Sequence, residues 1–150
     1  MHEREFTSKR YAIVEALVEK FKEIDGTGDY LTDLGQNAYP RLKFWDEIQE
    51  WPYVCMSPGP ERREYQGGGF KDRYMSVTVR CYVQEEDSGK ALERLIEDLE
   101  TVIEKNGRLA YLDNKGVSQY TRDILIISID TDEGVLDPIG AGEILIQIEY

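Results

Sequence analysis

Between Arg122 and Tyr150 the chain reads RDILIISIDTDEGVLDPIGAGEILIQIEY, two runs of β-branched and long aliphatic residues either side of a Gly-, Pro- and Asp-containing segment. No other stretch restricts the fold as much. The runs Ile124 to Ile129 and Ile144 to Ile148 predict two antiparallel strands joined by an unusually long loop. In the second run Ile144, Ile146, Ile148 and Tyr150 share one face, while Glu143, Gln147 and Glu149 share the other with Leu145, the alternation of a half-buried strand. In the first, Leu125, Ile127 and Ile129 share a face, but Ile124 and Ile126 make the opposite face apolar too. That pattern predicts a more central place in the sheet.

The other elements follow from periodicity and punctuation. Ser8 to Ile24 reads as a helix capped by Thr7 or Ser8 and stopped at Gly26, with Ile13, Ala16, Leu17, Phe21 and Ile24 on one stripe. A second helix, Gly89 to Lys105, follows Asp87 or Ser88 as its cap and carries Leu92, Leu95, Ile96, Leu99, Val102 and Ile103. Met75 to Val83 alternates most cleanly, with Met75, Val77, Val79, Cys81 and Val83 inward and Ser76, Thr78, Arg80 and Tyr82 outward. Tyr53 to Met56 is short and β-prone, and Pro52 puts it at a strand start or a sheet edge. Gln66 to Asp72, with glycines at 67 to 69, has the composition of a hairpin tip. Asp25 to Tyr39 and Arg108 to Tyr120 read as connections, the latter with brief pairing near Leu109, Tyr111 and Leu112. Residues 1–150 are expected to form a single α+β domain. Its architecture would be a two-layer sandwich, a mainly antiparallel or mixed sheet with both helices on one face. The other face is left to water or to association.

Motifs for chemistry fail one by one. His2 is the only histidine, which removes histidine triads and most zinc sites. The DGTGD run at 25–29 lacks a calcium loop's glycine and glutamate, since Tyr30 and Gln36 stand at those positions. Neither the glycines at 67 to 69 nor SGKA at 88–91 has the lysine, hydroxyl and glycine spacing of a phosphate loop. Asp130, Asp132 and Asp137 are weighed as metal ligands and read as turn formers. Trp45 and Trp51 read as core or interface anchors. No cofactor, metal or catalytic group is expected. Cys55 and Cys81 sit in apolar surroundings and are expected as reduced thiols in a cytoplasmic setting. The start of the chain is charged and no apolar run approaches the roughly 20 residues of a membrane helix, so neither export nor a membrane is expected.

Charge narrows the partners. Eighteen basic against thirty acidic residues give −12, which argues against tight binding to nucleic acid phosphates. The acid is either a solvated face that keeps the chain soluble or a surface that repels DNA.

The segment WPYVCMSPG, the strand YMSVTVRCYV, the long helix and the ending ISIDTDEGVLDPIGAGEILIQIEY together resemble the tail terminator proteins of long-tailed, siphovirus-type bacteriophages. The resemblance implies a non-enzymatic virion protein, assembled in the host cytoplasm as a homo-oligomeric ring of six on the head-proximal end of the tail tube. Such a ring stops tube growth, meets the tube protein and the head-completion or connector proteins, and lets DNA pass through its channel without specific binding. The contact loops expected are Gln66, Gly67, Gly68, Gly69, Phe70 and Arg73, with Asp132, Glu133, Val135, Leu136, Pro138 and Ile139. Two other readings stay open: a neck or stopper protein of the head–tail junction, and a small acidic enzyme or ligand-binding domain.

Overall fold

The computed structural model describes residues 6–150; residues 1–5, His2 among them, and the Trp45 side chain lie outside that description. Helix α1 spans Lys9–Phe21 and starts where the Ser8 side chain accepts a hydrogen bond from the Tyr11 N–H. It ends three residues short of Ile24, because the backbone tightens from Lys22 onward before Gly26 turns the chain at φ 76°. Ile24 is nevertheless buried. Helix α2 spans Ser88–Lys105 with Asp87 as its cap. Its one buried acid, Asp98, is 1% exposed. Asp98 accepts hydrogen bonds from the Leu31 N–H (2.9 and 3.1 Å), the Thr32 N–H (2.8 Å) and the Thr32 hydroxyl (2.5 Å), so it clamps the 31–32 turn onto the helix.

The strands are β1 (Ala38–Tyr39), β2 (Tyr53–Cys55), β3 (Glu61–Tyr65), β4 (Lys71–Gln84), β5 (Ala110–Leu112), β6 (Ser118–Tyr120), β7 (Asp123–Thr131) and β8 (Ile139–Glu149). The main sheet runs β1-β2-β4-β8-β7, with β3 also paired to β4 and β1 parallel to β2. β5 and β6 form the small separate hairpin expected in the 108–120 connection. β2 and β3 lie along the same side of β4, one at each end of it, separated by a detour from Met56 to Pro60. At Gly59 the detour passes so close to β4 that a Cβ would overlap the Ser76 carbonyl oxygen.

One face of the sheet is dry. Met75, Val77, Val79 and Cys81 from β4 and Ile144, Ile146 and Ile148 from β8 are fully buried with the apolar stripes of both helices in one core. The α+β sandwich and the inward set of β4 are as expected. Three expectations need correction. β7 is an edge strand, not a central one: Ile124 and Ile126 face the core, Leu125 and Ile127 are exposed, and past the bulge at Ile127 the register turns Ile129 to the side of its inward partner Ile144. The loop between β7 and β8 shrinks to 132–138, because β7 keeps pairing through Asp130 and Thr131 and β8 begins at Ile139 by pairing with the end of β4. The outer face is also not wholly open. Residues from Tyr39 to Trp51 fold back over it and enclose Ile48, Tyr53, Cys55 and Tyr82 in a second small core, so the outward Tyr82 is only 5% exposed.

The register explains the thiols. Val54 pairs with Cys81 and Cys55 with Arg80, so the two cysteines stand on opposite faces of the sheet. Both are buried and free, and burial pushes the Cys81 thiol up to about 12. Mass spectrometry of the unreduced protein should find two free thiols, alkylated only after unfolding; a Cys55–Cys81 bridge would overturn the register.

Candidate assembly surfaces

β4 is fourteen residues long and outruns β8, whose last partner on it is Tyr74. Beyond that point β3 and β4 stand alone as a two-stranded ribbon. Gly67–Gly69 form its tip, with Gly68 at φ 76°, and the Gln66 N–H closes the turn on the Phe70 carbonyl at 2.7 Å. The side chains flanking the tip, Tyr65 and Phe70, are each 74% exposed. The ribbon was not foreseen as such, because ERREY in β3 has no apolar alternation to betray a strand.

Its root is held by charge. The Glu61 carboxylate accepts from Arg63 at 2.5 Å and from the Tyr150 hydroxyl, and lies 3.6 Å from the Arg10 guanidinium of α1. Arg73 lies over the Tyr150 ring at 5.6 Å, and Arg122 pairs with Asp72 at 2.6 Å. Arg73 thus sits at the root rather than the tip. Burial works against the Glu61 charge, but the Tyr150 hydroxyl, Arg63 and Arg10 outweigh it and hold the carboxyl below the usual glutamate range. A carboxyl lowered in the folded state contributes stability above its unfolded pKa and loses it as pH falls through the folded value. Glu61→Gln should therefore be less stable than wild type near neutrality, with the gap closing in acid below about pH 4.5. Urea midpoints across pH 3–7 measure this; a gap that persists at the acid end refutes it.

The turn from β7 to β8 lies at the other end of the sheet. Asp132 accepts from the Leu136 N–H at 3.1 Å and the Ala141 N–H at 3.4 Å. Asp137 accepts from the Ser88 hydroxyl at 2.5 Å, which ties the turn to the start of α2. Asp132 is thus the turn's own acceptor, as expected of it, whereas Asp137 serves the start of α2 and Asp130, expected as a turn former, lies within β7 opposite Glu143. Glu133 takes φ 55° before Gly134, and Val135 beyond them is 83% exposed. Leu136 is 37% exposed, the Pro138 carbonyl accepts from the Glu85 N–H, and Ile139 opens β8 opposite Gln84. A cleft of about 480 Å³ between this turn and α2 is lined by Glu86, Asp87, Glu93, Asp132 and Glu133 among others. On α2, burial and then Glu104, Glu97 and Glu93 push the Glu100 carboxyl up.

The two expected sets of contact residues are therefore not brought together. At about 3.3 Å per residue along β4 they lie on the order of 40 Å apart, at opposite ends of the strands. A third surface was missed. Along the free edge of β7, Leu125, Ile127 and Ile129 are 40%, 54% and 39% exposed, and a bulge at Ile127 interrupts the pairing with β8. The uncharged run from Ile124 to Ile129 was its signal, and reading it as a central strand hid it.

Among the described residues no group of three or more His, Cys, Asp and Glu is placed to hold a metal ion, and no helix is long and apolar enough to cross a membrane. Ribbon, turn and open edge are protruding surfaces rather than a cavity, the equipment of a protein that works by association. The comparisons give the class. The model of the family described as Bacteriophage Tail Tube Terminator Protein matches residues 7–150, and the chain belongs to that family. It is thus a structural protein of the phage tail. A curated relative is the Tail tube terminator protein p142 of Escherichia phage T5, 32% identical over 149 residues, 94% of this chain and 92% of that protein. Among solved structures, a chain from the virion of a native gene transfer agent particle shares the fold. Its TM-score is 0.56 at 10% identity, over 92% of this chain and 93% of that one.

Proposed function

We propose that copies of this chain close into a ring, a hexamer, on the head-proximal end of the finished tail tube, where they end polymerisation and present a surface to the head-completion proteins. The observation that carries the reading, beside the family, is the polarity of the subunit: ribbon at one end of the sheet, turn at the other. A subunit standing with its strands along the ring axis offers one end to the tube and the other to the head. Residues 1–150 act as one domain in this reading, the ribbon and turn make contacts, and no covalent step is involved. Assembly takes place in the host cytoplasm. The charge of −12, with Glu93, Glu97, Glu100 and Glu104 along α2, suits a channel through which DNA passes without sticking.

Electron microscopy of tails assembled with and without the protein tests this. Overlong tubes without it, restored to uniform length and capped by a ring when it is added back, are expected. Tails of normal length without it would sink the proposal.

A further inference from the structure

β7 and β3 are free edges on opposite sides of one sheet. From Ile124 to Ile129 the β7 edge carries no charge, and it exposes Leu125, Ile127 and Ile129. Edge strands are ordinarily guarded by charge, proline, a bulge or a covering segment; β7 has the bulge at Ile127 but neither charge nor proline from Ile124 to Ile129, and a long apolar edge invites another strand. On the other side, β1 is only two residues long, so β3 on the ribbon is the longer open edge. Resting on the ring reading above, we infer that the β3 edge of the ribbon of one copy adds to the β7 edge of the next, so that the sheet continues from subunit to subunit.

Three observations select a second copy of this chain as the occupant. The first is direction. β8 runs against β4, β7 against β8 and β3 against β4, so β7 points with β4 and β3 points opposite. Rotation about a ring axis keeps the sense of every strand along that axis, so β7 of one copy meets β3 of the next antiparallel. The second is charge. The ribbon from Glu61 to Arg73 holds Arg62, Arg63, Lys71 and Arg73 against Glu61, Glu64 and Asp72, a net +1 in a chain of −12. Residues 123–139 hold five acids and no base. The third is that the contact is heterologous, two unlike edges of every copy being used at once, as a closed ring of identical subunits requires.

Through Met75 and Ile148, Glu61 is level with Ile124, so within one copy β3 extends past the start of β7. Bringing β3 alongside 124–129 needs a stagger of about five residues between copies, and closed sheets of tilted strands are built with such a stagger. The aromatic side chain of Tyr65 can then cover exposed aliphatic groups of β7.

The test uses the full chain on purified tail tubes. Chains carrying one cysteine on β3 (Arg62→Cys, Arg63→Cys or Glu64→Cys) and one on β7 (Ile126→Cys, Ile127→Cys or Ser128→Cys) are oxidised on the tube, with single-cysteine chains as controls. Cys55 and Cys81 are buried and stay silent. At least one pair should give a disulfide ladder ending at the closed ring. Ile127→Lys, at an exposed position, should melt like wild type yet lower ring formation about tenfold or more. Rings that form with no β3–β7 cross-link in any pair and are indifferent to Ile127→Lys would overturn the inference and leave the ring itself standing. A β7 cysteine that cross-links to the tube protein instead would overturn it too. Termination without any ring would sink both.

Discussion

Leu99→Ala is expected to cost about 2–5 kcal/mol of folding stability. Leu99 is fully buried on α2, among Val77, Val79, Ile144 and Ile146 of the sheet and the stripe of α1. Removing its three outer carbons forfeits their transfer from water and leaves a cavity, since α2 is held at its start, where Ser88 binds Asp137, and right beside Leu99, where Asp98 binds the 31–32 turn. A helix so pinned cannot sink into the space, which points to the upper half of the range. Calorimetry should show a fall in Tm on the order of 10 °C for a chain of this size. A loss under half a kcal/mol, both here and in Leu95→Ala, would mean that α2 does not pack on the sheet.

The second large effect belongs to the neighbouring position. Asp98→Ala should cost about 3 kcal/mol, because it removes a carboxylate that accepts from two backbone N–H groups and a hydroxyl and leaves the Thr32 donors without a partner. The loss should be local as well as global. Amide hydrogen exchange at Leu31 and Thr32 should accelerate more than at the centre of β4. If exchange there matches wild type while stability falls, the turn has another support and the clamp is incidental.

Where the fold could be read in the sequence, one physical effect acted alone. Alternation in 75–83 and 144–148 and the 3.6-residue stripe of α2 each report a single buried face, and those elements stand where they were expected. Where two effects overlapped, reading failed. The doubly apolar run 124–129 has the same pattern whether its second face is covered within the subunit or left for another strand, so β7 was placed at the centre instead of the edge. β3 is held by backbone pairing and by ion pairs, which leave no hydropathy signal. Asp98 looked like one more acid on a solvated helix, because its partners are backbone groups sixty-six and sixty-seven residues away. The candidate contact residues at 66–70 and 132–139 were legible as turns from their glycines and aspartates. That they lie at opposite ends of the molecule followed only from the strand register.

The rooted ribbon behaves as a cantilever. It is gripped at its fixed end by α1 through Arg10 and by the end of the chain after β8 through Tyr150, and farther out by Arg122, just before β7, through Asp72. A beam clamped on three sides arrives at its target already straight, so little freedom is lost when the tip is seized, and more of the contact energy survives as affinity. The same clamp sends a load on the tip inward: strain from a neighbour reaches a helix and two strands of the main core before it can be relieved by bending at the tip.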